Sequence, residues 1–326
     1  MNSFARLCVL LLSCGLTACA TLPPVAAQDV DPGPSARVLG GRAEQGHALF
    51  EGSGGIHLYE QWWRPVGTDP RGVVVVIHGL KDHSSRYGEL AGRLVEHGFA
   101  VHAMDLRGHA RSEGARVDVG SFNDYVEDLA VFVQRVKQRE PGKPVFLLGH
   151  SMGGAIVTLY TLAHPSEVTG LITHAAALKL DVGGFKAASM RFLAAMNPRA
   201  GLFQLDLDDF SRDPEVVRAA KEDPLIYQPG APVHTATELL AATRQIQEHM
   251  EDLTVPVLIL HGTEDKLTAH EGSEELYRRA KSADKTLKLY PGLYHDLVHE
   301  PEKEQVLSLI TGWLDAHARG AAPEAR

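Results

Sequence analysis

Residues 149–153 read GHSMG and are the clearest candidate for chemistry in the chain, because they fit the pattern Gly-x-Ser-x-Gly. In this pattern a serine lies on a sharp turn between a strand and a helix, and its neighbours must be small to avoid clashes. An apolar run at 145–148 predicts the strand, and residues 154–162 predict the helix. The sequence therefore predicts a nucleophile elbow with Ser151 as the nucleophile. The other elbow residues are Gly149, His150 and Gly153.

A serine hydroxyl needs a base to take its proton, and the base needs a partner that fixes its tautomer. Asp265 follows one late strand-like run, and His295 follows the next. Together with Ser151 they give the chain order serine, acid, histidine that accompanies this type of elbow. We therefore predict Asp265 as the acid and His295 as the base. The alternatives that stay open are Glu264 and Asp181 for the acid and His299 for the base.

The negative charge that develops on an attacked carbonyl oxygen must be stabilised by N–H groups that already point at it. The residue after the nucleophile, Met152, supplies one such group. The second is expected from the loop after an early strand, where Gly79 lets the backbone bend close to a substrate. We predict the N–H groups of Leu80 and Met152 as the oxyanion hole. The alternative for residues 78–80 is a simple turn.

Strand-like and helix-like segments alternate along most of the chain, which predicts a parallel sheet with helices on both faces. The β-branched run 73–77 is typical of a strand buried on both faces, and residues 47–63 predict a hairpin. Together with the elbow, the alternation predicts the α/β-hydrolase fold. The other predicted strands lie at 100–104, 145–148, 170–173, 255–260 and 287–290, and two predicted helices at 122–138 and 154–162.

Residues 181–248 break this alternation, because they show helical patterns and no convincing strand. Helices inserted at this point predict a cap over the edge where the parallel strands end and where such folds bind ligands. The apolar residues of the segment, such as Phe192, Met196 and Leu239, are interpreted mainly as buried core. The α/β-hydrolase core is then predicted at 41–180 and 249–318, followed by a flexible tail at 319–326.

The charge of the chain and its histidine pattern argue against two broad classes of function. There are 41 acidic and 32 basic residues and no basic block, which disfavours binding to nucleic acid. The 17 histidines include no His-x-x-x-His pair followed by a third ligand, so no metal site is predicted. The predicted chemistry also requires no cofactor.

All three cysteines, Cys8, Cys14 and Cys19, lie at the N-terminus, in a segment typical of a secretory signal. Residues 16–19 read LTAC, which is similar to a bacterial lipoprotein signal, in which the cysteine becomes the lipidated first residue. We therefore predict a signal peptide at 1–18, export, and a lipid anchor on Cys19 to the cell envelope (the outer membrane where two membranes are present). A proline-rich tether is predicted at 19–40. Ordinary secretion after Ala-x-Ala cleavage is the alternative.

Seven short motifs occur in order along the chain: HGL at 78–80, HSSRY at 83–87, DLRGH at 105–109, FNDY at 122–125, GHSMGG at 149–154, SRDP at 211–214 and YHDL at 294–297. Taken together, they resemble the monoacylglycerol lipase family over roughly residues 45–315. The resemblance implies hydrolysis of an acyl ester, with Ser151, Asp265 and His295 matching the triad and Leu80 and Met152 matching the oxyanion hole. It also implies a helical cap that admits an acyl chain and a small-molecule lipid ester as the binding partner.

The chain departs from the family pattern at Lys81, where glycine is usual after the oxyanion loop. A charged side chain at this position is expected to alter head-group preference or loop geometry. Monoacylglycerols are the leading substrates, but lysophospholipid hydrolysis, acyl transfer and peptide hydrolysis use the same machinery. An inactive lipid-anchored binding protein is an alternative of another class. The sequence does not define the oligomeric state.

Overall fold

Nine strands form a single sheet in the computed structural model, which describes residues 35–39, 42–180 and 184–320. The strands are β1 (Ser35–Leu39), β2 (Ala43–Glu51), β3 (His57–Pro65), β4 (Gly72–Ile77), β5 (Phe99–Met104), β6 (Val145–His150), β7 (Gly170–His174), β8 (Val257–Gly262) and β9 (Lys285–Tyr290). Their order is β1-β2-β3-β5-β4-β6-β7-β8-β9. The pairs β1–β2, β2–β3 and β3–β5 are antiparallel, and all later pairs are parallel.

The middle of the sheet is covered on both faces, as the β-branched run of β4 predicts. Val73, Val75 and Ile77 pack into one apolar cluster, whereas Val74 and Val76 pack into the other. Alternate residues of a strand point to opposite faces, so a strand that is apolar at every position needs two covering layers. This arrangement confirms the prediction of a largely parallel sheet between helices.

Eight helices accompany the sheet in the described residues. They are α1 (Gly88–Glu96), α2 (Asn123–Arg139), α3 (Met152–Ala163), α4 (Gly184–Met196), α5 (Pro214–Glu222), α6 (Val233–His249), α7 (His270–Arg279) and α8 (Lys303–Gly320). Helices α1 and α8 share one apolar cluster, and α2, α3 and α6 share the other. The order of strands and helices is that of the α/β-hydrolase fold expected from the sequence.

Two element predictions need correction. The tether predicted at 19–40 extends too far, because residues 35–39 form β1 and pair antiparallel with the edge of β2. A short edge strand gains main-chain hydrogen bonds that its composition does not reveal. Helix α7 was not anticipated, because it is predominantly polar and buries few residues. The predicted signal peptide, Cys19 and residues 19–34 lie outside the described residues.

Helices α4, α5 and α6 lie between β7 and β8, in the segment predicted to be a cap. The interpretation of its apolar residues as core is right for Leu239, which is buried, but wrong for Phe192 and Met196, which are 68% and 72% exposed. Helical periodicity shows that residues share a side of a helix, but it does not show whether that side faces protein or solvent. Within the described residues, none of the helices combines the length and hydropathy that crossing a bilayer requires.

Candidate active site

Ser151 lies on the turn between β6 and α3, at the end of the sheet where the parallel strands terminate. Its backbone has φ 55° and ψ −120°, a conformation that side-chain-bearing residues rarely adopt. The small neighbours allow this turn: a Cβ on Gly149 would lie 2.4 Å from the Gly153 carbonyl oxygen, and one on Gly153 would lie 2.2 Å from the carbonyl oxygen of Ile77. The strand, sharp turn and helix therefore place the serine at the head of α3.

Asp265 and His295 lie beside one another, although thirty residues separate them. His295 Nδ1 donates to Asp265 Oδ2 over 2.7 Å, and both side chains are buried. The other carboxylate oxygen, Oδ1, accepts the N–H groups of Leu267 at 2.8 Å and Thr268 at 3.0 Å. Because Oδ2 is bonded to His295 and Oδ1 to the backbone, the carboxylate is fixed in orientation.

Two further side chains contact the Asp265 carboxylate and were not anticipated from the sequence. The Thr268 hydroxyl lies 2.9 Å and His261 Nε2 lies 3.1 Å from Oδ2. Burial alone would raise the pKa of the Asp265 carboxyl, but His295 and the His261 hydrogen bond hold that pKa well below its usual range. The available signal was Asp265 itself, because an aspartate in a turn commonly accepts N–H groups a few residues later, and those bonds bring Thr268 back to the carboxylate.

Two of the three alternatives for the acid and the base, Glu264 and His299, fall in the described residues. Glu264 is exposed, and Asp181 is outside the described residues. Both ring nitrogens of His299 have partners, with Nδ1 2.8 Å from Asp296 Oδ2 and Nε2 3.0 Å from the Arg86 carbonyl oxygen. Of the predicted candidates, the structure therefore pairs Asp265 with His295 and engages His299 in a separate contact.

A narrow cavity of about 20 Å³ joins the predicted site residues. Ser151, His295 and Leu80 line it, together with apolar side chains from the segment between β7 and β8. These side chains are Phe203, Leu205, Phe210 and Leu239. A space of this size holds about one water molecule, so the apolar side chains have to move before an acyl chain can occupy it.

The two predicted oxyanion donors have N–H groups available for a ligand. Met152 is the first residue of α3, so its N–H has no carbonyl one turn earlier in the helix. The N–H of Leu80 has no acceptor among the residues that the structure describes. Gly79 lies so close to the elbow that a Cβ there would be 3.0 Å from the Ser151 Cβ. The loop therefore reaches the serine because position 79 has no side chain.

His150, the second elbow residue, belongs to a buried polar network beside His295. Its Nδ1 lies 3.0 Å from the Tyr87 hydroxyl, which in turn donates to Asp82 Oδ2 over 3.1 Å. The rings of His150 and His295 are 4.7 Å apart between centroids. Burial and the proximity of His295 lower the pKa of His150 to about 4, so its ring is neutral near pH 7.

His150, His174 and Asp296 each bring one polar atom to within 4.8 Å of the others, a spacing that a metal ion could bridge. The Leu297 N–H donates to His174 Nε2 over 2.9 Å, which places the ring hydrogen of neutral His174 on Nδ1. Burial holds the pKa of His174 well below its ordinary value and keeps the ring neutral. A nitrogen that carries hydrogen offers no lone pair, so this trio does not fit a metal ion.

The chain is similar to known lipases over most of its length. The monoacylglycerol lipase of Mycolicibacterium smegmatis is 38% identical over 270 residues, covering 82% of this chain and 96% of the relative. The monoglyceride lipase of Homo sapiens is 37% identical over 265 residues, covering 80% and 87%. The crystal structure of the Paleococcus ferrophilus monoacylglycerol lipase has 32% identity and a TM-score of 0.72, covering 80% of this chain and 99% of that one.

The sequence profile of the Hydrolase_4 family (Serine aminopeptidase, S33) matches residues 68–302. This range contains every residue of the site described above. With the fold, the elbow and the relatives in agreement, the chain belongs to the monoacylglycerol lipase-like branch of the Hydrolase_4 family and is a serine ester hydrolase of the α/β-hydrolase fold.

Proposed function

We propose that the protein hydrolyses monoacylglycerols or similar single-chain lipid esters through an acyl-enzyme formed on Ser151. The observation that supports this most strongly is that Ser151 and His295 line one apolar cavity while Asp265 bonds to His295 Nδ1 at 2.7 Å. A serine, a base and an orienting carboxylate in this relationship are the parts that acyl transfer requires.

In the first half of the reaction, the Ser151 hydroxyl oxygen forms a bond to the ester carbonyl carbon while His295 Nε2 takes the hydroxyl proton. The carbonyl oxygen becomes an oxyanion and accepts the N–H groups of Leu80 and Met152. When the ester C–O bond breaks, His295 gives the proton to the departing alcohol oxygen. Asp265 keeps the ring hydrogen on Nδ1, so that Nε2 is free to act as the base.

In the second half, water replaces the alcohol. His295 removes a proton from the water as its oxygen attacks the acyl carbon, and the same proton returns to Ser151 as the acyl-enzyme bond breaks. The fatty acid leaves and the enzyme is regenerated. No metal or cofactor takes part in these steps.

The apolar lining of the cavity supports a lipid acyl chain as the part of the substrate that Ser151 receives. Phe203, Leu205, Phe210 and Leu239 come from the segment that we propose as the cap, residues 181–248. The named relatives support the same substrate class, because their names give a monoacylglycerol or monoglyceride. Lysophospholipid hydrolysis and acyl transfer to an alcohol are the closest alternatives, since both use the same acyl-enzyme.

Labelling with a fluorophosphonate, followed by fatty-acid release from a panel of lipids, tests the proposal. Wild type should be labelled and should release fatty acid from monoacylglycerol, whereas Ser151→Ala should do neither. The matched control is Ser308→Ala, which removes an exposed hydroxyl from α8. Labelling with release only from peptide amides would replace the lipase proposal by a peptidase, and full activity of Ser151→Ala would refute the nucleophile.

We also propose that the protein is exported and anchored to the cell envelope through a lipid on Cys19. The support is the sequence alone: a short apolar signal, LTAC at 16–19 and a proline-rich stretch after it. Cys19→Ser should move the protein from the membrane fraction to the soluble fraction, whereas Cys14→Ser should leave it in the membrane. Membrane partitioning that is unchanged in Cys19→Ser would overturn the anchor.

A further inference from the structure

Lys81, which directly follows the oxyanion-loop residue Leu80, is buried, and no counter-ion contacts it within the part of the chain that the structure describes. Its residue exposure is 3%, and its backbone lies in the left-handed region at φ 69°. The ammonium group donates to the Gln228 carbonyl oxygen at 3.3 Å, which uses one of its three hydrogens. Burying an ammonium group with so few partners is unfavourable unless something else satisfies it.

A second cation without a counter-ion lies in the same place. Lys81 and Arg116 both line a cavity of about 310 Å³, and Arg116 donates to the Ala110 carbonyl oxygen over 2.8 Å. Among the described residues, no carboxylate oxygen lies within 4.0 Å of a charged nitrogen of either side chain. Two positive charges therefore face a space large enough for a small polar molecule.

The carboxylates near this cavity are already engaged by other groups. Asp82 accepts from Arg86 and from the Tyr87 hydroxyl. Asp105 accepts from the Ser84 N–H and hydroxyl. Asp223 lies 3.0 Å from His83 Nε2 and accepts the Leu225 N–H. Asp105 acts on Arg116 only through space, where it opposes the effect of burial on the pKa of that guanidinium. In the described part of the chain, none of these three aspartates forms an ion pair with Lys81 or Arg116.

His109 also lines this cavity, with its free ring nitrogen buried. Its Nδ1–H donates to the Arg107 carbonyl oxygen over 3.0 Å, which leaves Nε2 with a lone pair and no partner in the described residues. Burial lowers the pKa of His109 to about 3, so the ring is neutral and Nε2 accepts rather than donates. The cavity therefore offers two cationic donors for an anion, beside a neutral imidazole ring.

The cavity also lies next to the reaction centre. Leu80 lines the cavity that contains Ser151, and Lys81, one residue later and about 3.8 Å along the chain, lines this one. The Tyr227 N–H donates to the Lys81 carbonyl oxygen over 3.1 Å, which ties the outer wall of the cavity to the oxyanion loop. The oxyanion loop therefore borders both cavities.

We infer that this cavity, lined by Lys81, Arg116 and His109, is a head-group subsite for the phosphate of a single-chain glycerolipid. Phosphate carries close to two negative charges and several acceptor oxygens, which suits two cations from different loops. The inference rests on the proposed lipid-ester hydrolysis and narrows its substrate class. Burial lowers the pKa of Lys81, and a bound phosphate would reverse that effect.

The test compares 1-acylglycerol 3-phosphate with 1-acylglycerol of the same chain length, as a ratio of kcat/KM values. Wild type should favour the phosphate lipid by about tenfold or more, and Lys81→Met and Arg116→Met should each lower that ratio by about tenfold, as expected for loss of a charge-assisted contact. The matched control, Lys288→Met, removes an exposed charge from β9 and should leave the ratio within about twofold, as is usual for distant surface charges.

A wild-type ratio near one, or equal losses for both lipids in Lys81→Met, would overturn the subsite and leave the proposed hydrolysis intact. Calorimetric titration of wild type with sn-glycerol 3-phosphate, glycerol and inorganic phosphate gives a readout that does not depend on turnover. Binding of glycerol 3-phosphate that is lost in Lys81→Met supports the subsite even where no lipid is hydrolysed. Equal binding of inorganic phosphate and glycerol 3-phosphate would make this a free-anion site and overturn the head-group assignment.

Discussion

Replacing Asp265 by asparagine should abolish most turnover without a large change in shape, because the hydrogen bonds around the carboxylate dictate how the amide must sit. Oδ1 accepts two backbone N–H groups, from Leu267 and Thr268, and an amide nitrogen cannot take that place. The amide oxygen therefore occupies the Oδ1 position, and the NH2 group faces His295 Nδ1 at the 2.7 Å contact. A donor there favours the tautomer in which Nδ1 is the acceptor.

In that tautomer the hydrogen sits on His295 Nε2, and Ser151 has no base. The expected loss in kcat is about 10⁴-fold, the size seen when the same change is made in a serine protease triad. At 1.36 kcal/mol per factor of ten, this corresponds to about 5.5 kcal/mol of transition-state stabilisation. Thermal unfolding should show a smaller cost, about 1–3 kcal/mol, for the lost charge-assisted bond.

The assay is single-turnover release of fatty acid from monoacylglycerol, with thermal unfolding of the same preparations. Glu264→Gln is the matched control, because it removes the neighbouring carboxylate, which is exposed. A folded Asp265→Asn variant that loses less than tenfold in kcat would refute the tautomer argument. If Glu264→Gln lowered kcat more than Asp265→Asn did, the assignment of Asp265 as the acid would be wrong.

Three further changes have expected outcomes. Thr268→Val removes the hydroxyl next to the Asp265 carboxylate but keeps the backbone N–H bond to it. In steady-state kinetics, kcat should fall by about tenfold with little change in KM. Gly153→Ala places a Cβ 2.2 Å from a strand carbonyl oxygen and should destabilise the fold by about 3 kcal/mol or more, measured by urea unfolding. Burial lowers the pKa of His109 to about 3, so below about pH 6.5 the unfolded chain binds a proton that the folded chain does not. This residue should therefore lower the free energy of unfolding by about 1.4 kcal/mol for each pH unit toward acid. His109→Gln should remove that part of the slope in urea titrations at pH 7 to 5.

Each of these has a control in the same chain. Thr311→Val removes a buried hydroxyl that donates to a helix carbonyl in α8, and kcat should not change. Gly312→Ala meets no atom within 4 Å and should be neutral or stabilising. His249→Gln alters an exposed ring and should keep the pH slope. Equal effects in a test variant and its control would contradict the corresponding prediction.

The parts of the site that follow from local rules were predictable from the sequence. A serine between two glycines, preceded by a strand and followed by a helix, defines a turn whose geometry is local, and the structure has that turn. Asp265 and His295 were found because residues just beyond parallel strands meet at one edge of a sheet. The structure places them in direct contact, as that rule predicts.

The contacts that were missed depend on side chains that approach from distant segments. Lys81 is recognisable in the sequence as a departure from the family pattern. The sequence does not show that residues 224–229 form a cavity wall beside Lys81 and Arg116. Likewise, the bond from His261 to Asp265 depends on a ring that points back along the end of β8. For α4, the sequence shows the helical spacing of the apolar residues. It does not show which side of the helix faces solvent, because that depends on where α6 packs against α4.

The backbone at Ser151 sets stability and function against each other at a single position. A residue with a side chain at φ 55° and ψ −120° costs about 1–3 kcal/mol, and glycine would adopt the same angles without that cost. In a library of variants selected only for resistance to heat, glycine at position 151 should therefore become enriched while turnover disappears. Retention of serine there is a mark of selection for activity, because selection for stability alone would remove it.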